Sequence, residues 1–216
     1  MTMPPSNGSQ RPPGDVGGAR SLPPPGRLIL ASASPRRQQL LREWGFDFTV
    51  QPANLDEESA STGNLLPSEL AVRLALAKAQ KIAGDFPADI VLGADTVVAF
   101  GDKSMSKPLD ADDARRMLAL LAGTTHIVIT GLAVVWKQQN VERVRHVMSA
   151  VHMRPLTAAE IETYVAGGQW EGKAGAYGIQ DDDPFVTNMA GSHSNIVGLP
   201  METTSEMLAE VGIVPK

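Results

Sequence analysis

Residues 27–39, RLILASASPRRQQ, constrain this chain more than any other stretch. Leu28, Ile29, Leu30 and Ala31 make an apolar run short enough for a buried strand. Ser32 and Ser34 follow, then Pro35, Arg36 and Arg37, then a helical pattern that turns Leu40, Leu41 and Trp44 inward. Ser34 is a good N-cap, and Pro35 suits the first helical position because the N–H it lacks has no intrahelical partner there anyway. The stretch therefore predicts strand, tight turn and helix start. A helix N-terminus offers open backbone N–H groups and partial positive charge, and guanidinium forks match phosphate oxygens in pairs. Two arginines sit poorly against the helix dipole, which hints at an anionic ligand; a solvated first turn with surface arginines is the plainer alternative.

The first 26 of the 216 residues are rich in Pro, Gly and Ser and almost free of large apolar side chains. They predict a disordered leader (1–26), without the apolar core of a secretion signal, ahead of one α/β domain (27–216). The absence of cysteine excludes disulfides, thiolate metal sites and cysteine nucleophiles, and fits a cytoplasmic protein. No apolar run approaches the roughly 18 residues of a membrane span, so no membrane partner is expected. With 19 Lys and Arg against 24 Asp and Glu, the net charge is −5. That balance lacks the basic footprint of a nucleic-acid binder. An anionic ligand would need locally gathered basic residues and a divalent cation.

Further along, Gly45 is a helix stop, 46–50 alternates like a half-buried strand, and 51–64 is a polar loop holding Asp56, Glu57 and Glu58. A helix over 67–84 groups Leu70, Leu74, Ala77 and Lys81. Residues 90–92 and 97–100 are short apolar strands separated by Gly93-Ala94-Asp95-Thr96. Asp110 caps a helix over 111–121, and 126–136 with 141–153 suggest an antiparallel hairpin. Thr157 and Glu160 form a capping box for a helix to Ala166. Residues 173–180, KAGAYGIQ, form a Gly-spaced loop; 185–189 is a short strand, 191–200 a loop and 201–211 a final helix. Strands alternating with helices, followed by a hairpin, predict an α/β domain with a mixed sheet. Apolar positions near the hairpin permit a homodimer without demanding one.

Chemistry concentrates at few places. Asp95 stands at the end of an apolar strand, where a carboxylate is costly unless it binds metal, pairs with a cation or acts as a base; the alternative is an aspartate in a bend. Residues 56–58 are a solvated acidic loop unless one of them joins Asp95 around a hard cation. Lys78, Lys107 and Lys173 are isolated beside small residues or Pro. Residues 101–104 lack the Gly-Lys pair of a phosphate-binding P-loop, and the four histidines lack metal-ligand spacing.

These motifs, in this order, resemble the Maf family of nucleoside triphosphate pyrophosphatases. The resemblance is carried by 30–37 (LASASPRR), Asp56-Glu57, Arg73-Leu74, Lys78-Ala79, 93–98 (GADTVV), Lys107-Pro108, 173–180, Gly191-Ser192 and 197–200 (VGLP), and spans about residues 27–211. It implies a fold of the Maf and inosine-triphosphatase kind: a single α/β domain with a central mixed sheet, flanking helices and a cleft between two lobes. It also implies hydrolysis of a nucleoside triphosphate to monophosphate and pyrophosphate with a divalent metal, Mg or Mn. By that likeness Asp95, Lys78 and Lys107 are catalytic, with Asp95 the proton acceptor. Ser32 and Arg36, with the two lysines, hold phosphates; Glu57 and Asp95 serve the metal. The chain resembles the dTTP/UTP group in carrying Arg37, Thr96 and Gln180 at the base-contacting positions. Two rival readings stay open: cleanup of modified nucleotides such as 7-methyl-GTP, and a nucleotide-sensing regulator of septum formation.

Overall fold

The structure, a computed structural model, describes residues 24–55, 65–179 and 185–216. Its first element pair follows the local sequence. Strand β1 (Leu28–Leu30) is buried throughout, and helix α1 (Pro35–Glu43) starts at Ser34, whose hydroxyl accepts from the Arg37 N–H at 3.5 Å. Leu40 and Leu41 turn inward, but Trp44 caps the helix and stays 39% exposed. Gly45 ends the turn at φ 78°, a left-handed conformation that costs glycine little. Of the strand expected over 46–50, only β2 (Thr49–Val50) pairs; Phe46 packs into the core ahead of it.

Helix α2 (Pro67–Asp85) leads to β3 (Ile90–Phe100), a short β4 (Lys103–Met105), α3 (Ala111–Leu121), β5 (Thr125–Trp136) and β6 (Val141–Met153). Then come α4 (Ala158–Ala166), β7 (Val186–Ala190), α5 (His193–Val197) and α6 (Met201–Ala209). The seven strands form one mixed sheet in the order β2-β1-β3-β5-β6-β7, with β4 added to β3. β1 runs parallel to β2 and β3; the later pairs are antiparallel. Asp110 and the Thr157–Glu160 capping box start α3 and α4 as the sequence predicts.

Two differences shape the functional region. Asp95 does not sit at a strand end or bend: Gly93-Ala94-Asp95-Thr96 continue β3, because β5 pairs with it without a break from Val91↔Val135 to Ala99↔Ile127. A long ladder overrides the low strand preference of Gly and Asp. On its other edge, β3 pairs with β1 over 90–92 and with β4 over 98–100. Residues 93–97 between them have no strand partner on that edge among the described residues, and the sheet opens there.

The second difference is in α2. Its buried face is a small-residue stripe, Ala71, Ala75 and Ala79 with Leu74, Ile82 and Ala83; Lys81 is exposed and donates to the Asn54 carbonyl at 2.6 Å. The stripe lets the helix lie on the sheet backbone. A Cβ on Gly93 would fall 2.2 Å from the Ala75 carbonyl oxygen, and one on Gly131 would fall 2.3 Å from Ala71. Gly93→Ala is accordingly expected to destabilise by about 2–3 kcal/mol. Gly84→Ala, in the same helix but with nothing nearer than the Lys137 Nζ at 4.0 Å, shifts the other way by about 0.5–1 kcal/mol. Urea midpoints of the two variants check both signs.

Candidate active site

The opening along β3 is the floor of a cleft of about 500 Å³. Alternate residues of a strand face opposite sides of a sheet. Asp95 points towards α2, where Lys78 Nζ meets its Oδ1 at 2.6 Å; both side chains are nearly buried, at 11% and 12% exposure. Thr96 points to the other side, towards α1. The close seat of α2 on Gly93 and Gly131 is what brings Lys78 within reach of Asp95, since Gly131 lies opposite Asp95 in the ladder.

The turn after β1 supplies the next wall. The Ser32 hydroxyl accepts from the Ser34 N–H at 3.3 Å and from Arg37 Nη1 at 3.2 Å. Arg37 also donates through Nη1 to the Ala94 carbonyl at 2.8 Å, through Nε to the Gly198 carbonyl at 2.8 Å, and through Nη2 to Thr96 Oγ1 at 3.1 Å. Its guanidinium is thus a tie between α1, β3 and the end of α5. Arg36 is placed differently: one long bond of 3.4 Å reaches the Gly172 carbonyl, and burial pushes its guanidinium below its ordinary pKa. An anion in the cleft would relieve that cost.

Lys107 and Lys173 line the same cleft. Lys173 is buried, and a Cβ on Gly178 would come within 2.9 Å of its Nζ, so the glycine makes room for the ammonium. Five cationic side chains, Arg36, Arg37, Lys78, Lys107 and Lys173, thus line this cleft against two described carboxylates, Asp95 and Glu171. In a chain of net charge −5, this is a strong local reversal of sign.

Of the residues singled out from the sequence, Ser32, Arg36, Arg37, Lys78, Asp95, Thr96 and Lys107 all line this cleft. Glu57 and Gln180 lie outside the described residues. No group of three His, Asp or Glu converges as a metal cage among the described residues. The chemistry of the donor set nonetheless fits a hard cation held partly by ligand phosphates, for which one or two carboxylates suffice.

Sequence reasoning missed Tyr177, which lines the cleft and whose hydroxyl lies 2.6 Å from His126 Nε2 in the core behind it. Burial, then the charge of His152, pushes the His126 pKa down from 6.5 to about 4. A histidine protonated more readily unfolded than folded drains stability as pH falls from 6.5 towards 4. Between about pH 7 and about pH 5 the loss from this group should be about 2 kcal/mol. His126→Gln removes that part of the slope, as urea midpoints at the two pH values would show.

A cleft along β3 in the gap between β1 and β4, with a cationic wall and a buried carboxylate on its floor, defines an α/β protein with a site suited to a polyanion. The chain belongs to the Maf family: the family model described as Maf-like protein matches residues 27–211. It is 45% identical over 188 residues to a dTTP/UTP pyrophosphatase of Moorella thermoacetica, covering 87% of this chain and 96% of that one. It is 42% identical to a protein of the same name from Symbiobacterium thermophilum (86% and 94% covered) and 44% identical to one from Sphingopyxis alaskensis (86% and 97% covered). No helix among the described residues is long and apolar enough to cross a membrane.

Proposed function

We propose that this protein hydrolyses dTTP and UTP to the monophosphate and pyrophosphate, clearing them from the cytoplasmic nucleotide pool. The observation that carries the reading is the cleft itself: five cations gathered round one buried aspartate on the open edge of β3. The relatives' names supply the nucleotide preference.

In this reading, water attacks the α-phosphorus in line and pyrophosphate leaves. The charge that builds on the phosphate oxygens meets Arg36, Lys78 and Lys107, which line the cleft. Ser32 and the Arg36 N–H at the start of α1 hold the triphosphate, the Ser34 and Arg37 N–H groups being bonded to the Ser32 and Ser34 hydroxyls. Asp95 takes the proton of the attacking water, its carboxylate held in place by the Lys78 ammonium 2.6 Å from Oδ1. Asp95 and Glu57 would hold a divalent cation, Mg or Mn, which when bound supplies further charge neutralisation at the phosphates. Arg37, Thr96 and Gln180 would contact the base.

Pyrophosphate release from dTTP, UTP, CTP, GTP and 7-methyl-GTP, with magnesium and with chelator, tests this. Turnover led by dTTP and UTP and lost on chelation is the expected result. Turnover led by 7-methyl-GTP would overturn the reading of the base pocket, and tight binding without turnover would make the protein a sensor.

A further inference from the structure

Behind Thr96 a line of polar groups crosses the buried sheet. Thr96 Oγ1 lies 2.9 Å from the hydroxyl of Thr130, its direct partner across β3 and β5. Thr130 is fully buried, and its Oγ1 is 3.2 Å from the Asn195 backbone carbonyl in α5. Asn195 is fully buried too and pinned: its Nδ2 donates to the Val128 carbonyl at 3.1 Å and to Ser149 Oγ at 2.9 Å. On the cleft side, Arg37 Nη2 donates to Thr96 Oγ1 at 3.1 Å.

The two ends of this line have fixed polarity, because a carbonyl oxygen only accepts and a guanidinium only donates. Thr130 gives its single proton to the Asn195 carbonyl. The contact between the two hydroxyls must then carry the proton of Thr96, which points away from the cleft. The other acceptor near Thr96, the Gly198 carbonyl, is 3.5 Å away, beyond the usual reach of a hydroxyl, and already accepts from Arg37 Nε at 2.8 Å, so it does not compete with Thr130 for the proton. Thr96 lines the cleft, whereas Thr130 and Asn195 do not. Whatever Thr96 offers a ligand is a lone pair.

We infer that Thr130, held by Asn195, is a positioning residue that makes Thr96 an acceptor-only contact and thereby selects uracil and thymine over cytosine. Uracil and thymine present N3–H as a donor on their pairing edge, whereas cytosine N3 is itself an acceptor and would face the Thr96 lone pair. The inference rests on the proposed pyrimidine triphosphate activity and adds how the two kinds of pyrimidine are told apart.

The test compares kcat/KM for UTP and CTP in the wild-type enzyme, Thr130→Val and Thr130→Ser. Valine removes the acceptor that draws the Thr96 proton inward, so UTP turnover falls, CTP turnover rises, and their ratio drops by about tenfold or more. Serine restores the hydroxyl and keeps the ratio within about twofold of wild type. An equal loss for both nucleotides in Thr130→Val, or an unchanged ratio, would overturn the inference while leaving the activity standing. A wild-type measurement needs no variant to fold: a 5-halogenated UTP has a more acidic N3–H, so the alkaline fall of its kcat/KM should begin at lower pH than for UTP. Coincident alkaline limbs would contradict an obligatory N3–H. A wild-type enzyme inert towards every pyrimidine triphosphate would overturn both the inference and the activity beneath it.

Discussion

Asp95→Asn is expected to lower kcat for UTP by about a thousandfold while leaving nucleotide binding nearly intact. The amide keeps the size of the carboxylate and can still pack beneath the cleft, but it cannot take a proton from water. Asp95 is 7% exposed, so no bulk water can replace it readily as a base. Binding of a non-hydrolysable UTP analogue, measured by calorimetry, should change by less than about threefold, because the phosphate-holding cations remain. A kcat within tenfold of wild type would remove Asp95 from the role of base. A large loss of binding with kcat retained would make it a ligand for the cation alone.

Lys78→Met has the second-largest expected effect, and it acts on stability as well as rate. The methionine removes the ammonium 2.6 Å from the Asp95 carboxylate, in a place where both side chains are only about one-tenth exposed. Breaking such a pair from one side should cost about 3 kcal/mol, because the remaining charge keeps its desolvation penalty and loses this partner. Turnover falls as well, since a transition-state cation has gone. The double variant Asp95→Asn/Lys78→Met separates these contributions: it should recover a good part of the lost stability and none of the rate. Strictly additive urea midpoints across the cycle would show that the two side chains do not act as a pair.

How much of this was legible in the sequence depends on distance along the chain. The starts of α1, α3 and α4 were legible because Ser34-Pro35, Asp110 and Thr157 with Glu160 sit next to the turns they cap. The unbroken β3 was not, since what carries it through Gly93-Ala94-Asp95-Thr96 is a ladder with residues about 40 positions away in β5. The buried face of α2 was misread for the same reason: alanines are favoured there only because Gly93 and Gly131 let the helix approach. Helix α5 was hidden inside an expected loop, with Ser192 its only local mark. At the site, the charged residues stood out singly because lysines, arginines and an aspartate are conspicuous among apolar and small neighbours. Their partners did not stand out. Thr130, Asn195 and the His126–Tyr177 pair are ordinary residues in sequence, and only the fold places them behind the cleft.

The most direct test of the proposed chemistry is product analysis of UTP hydrolysis in ¹⁸O-labelled water with magnesium. Attack at the α-phosphorus yields UMP and pyrophosphate in equal amounts, with the label in UMP. UDP with inorganic phosphate, or label in the pyrophosphate, would contradict the account.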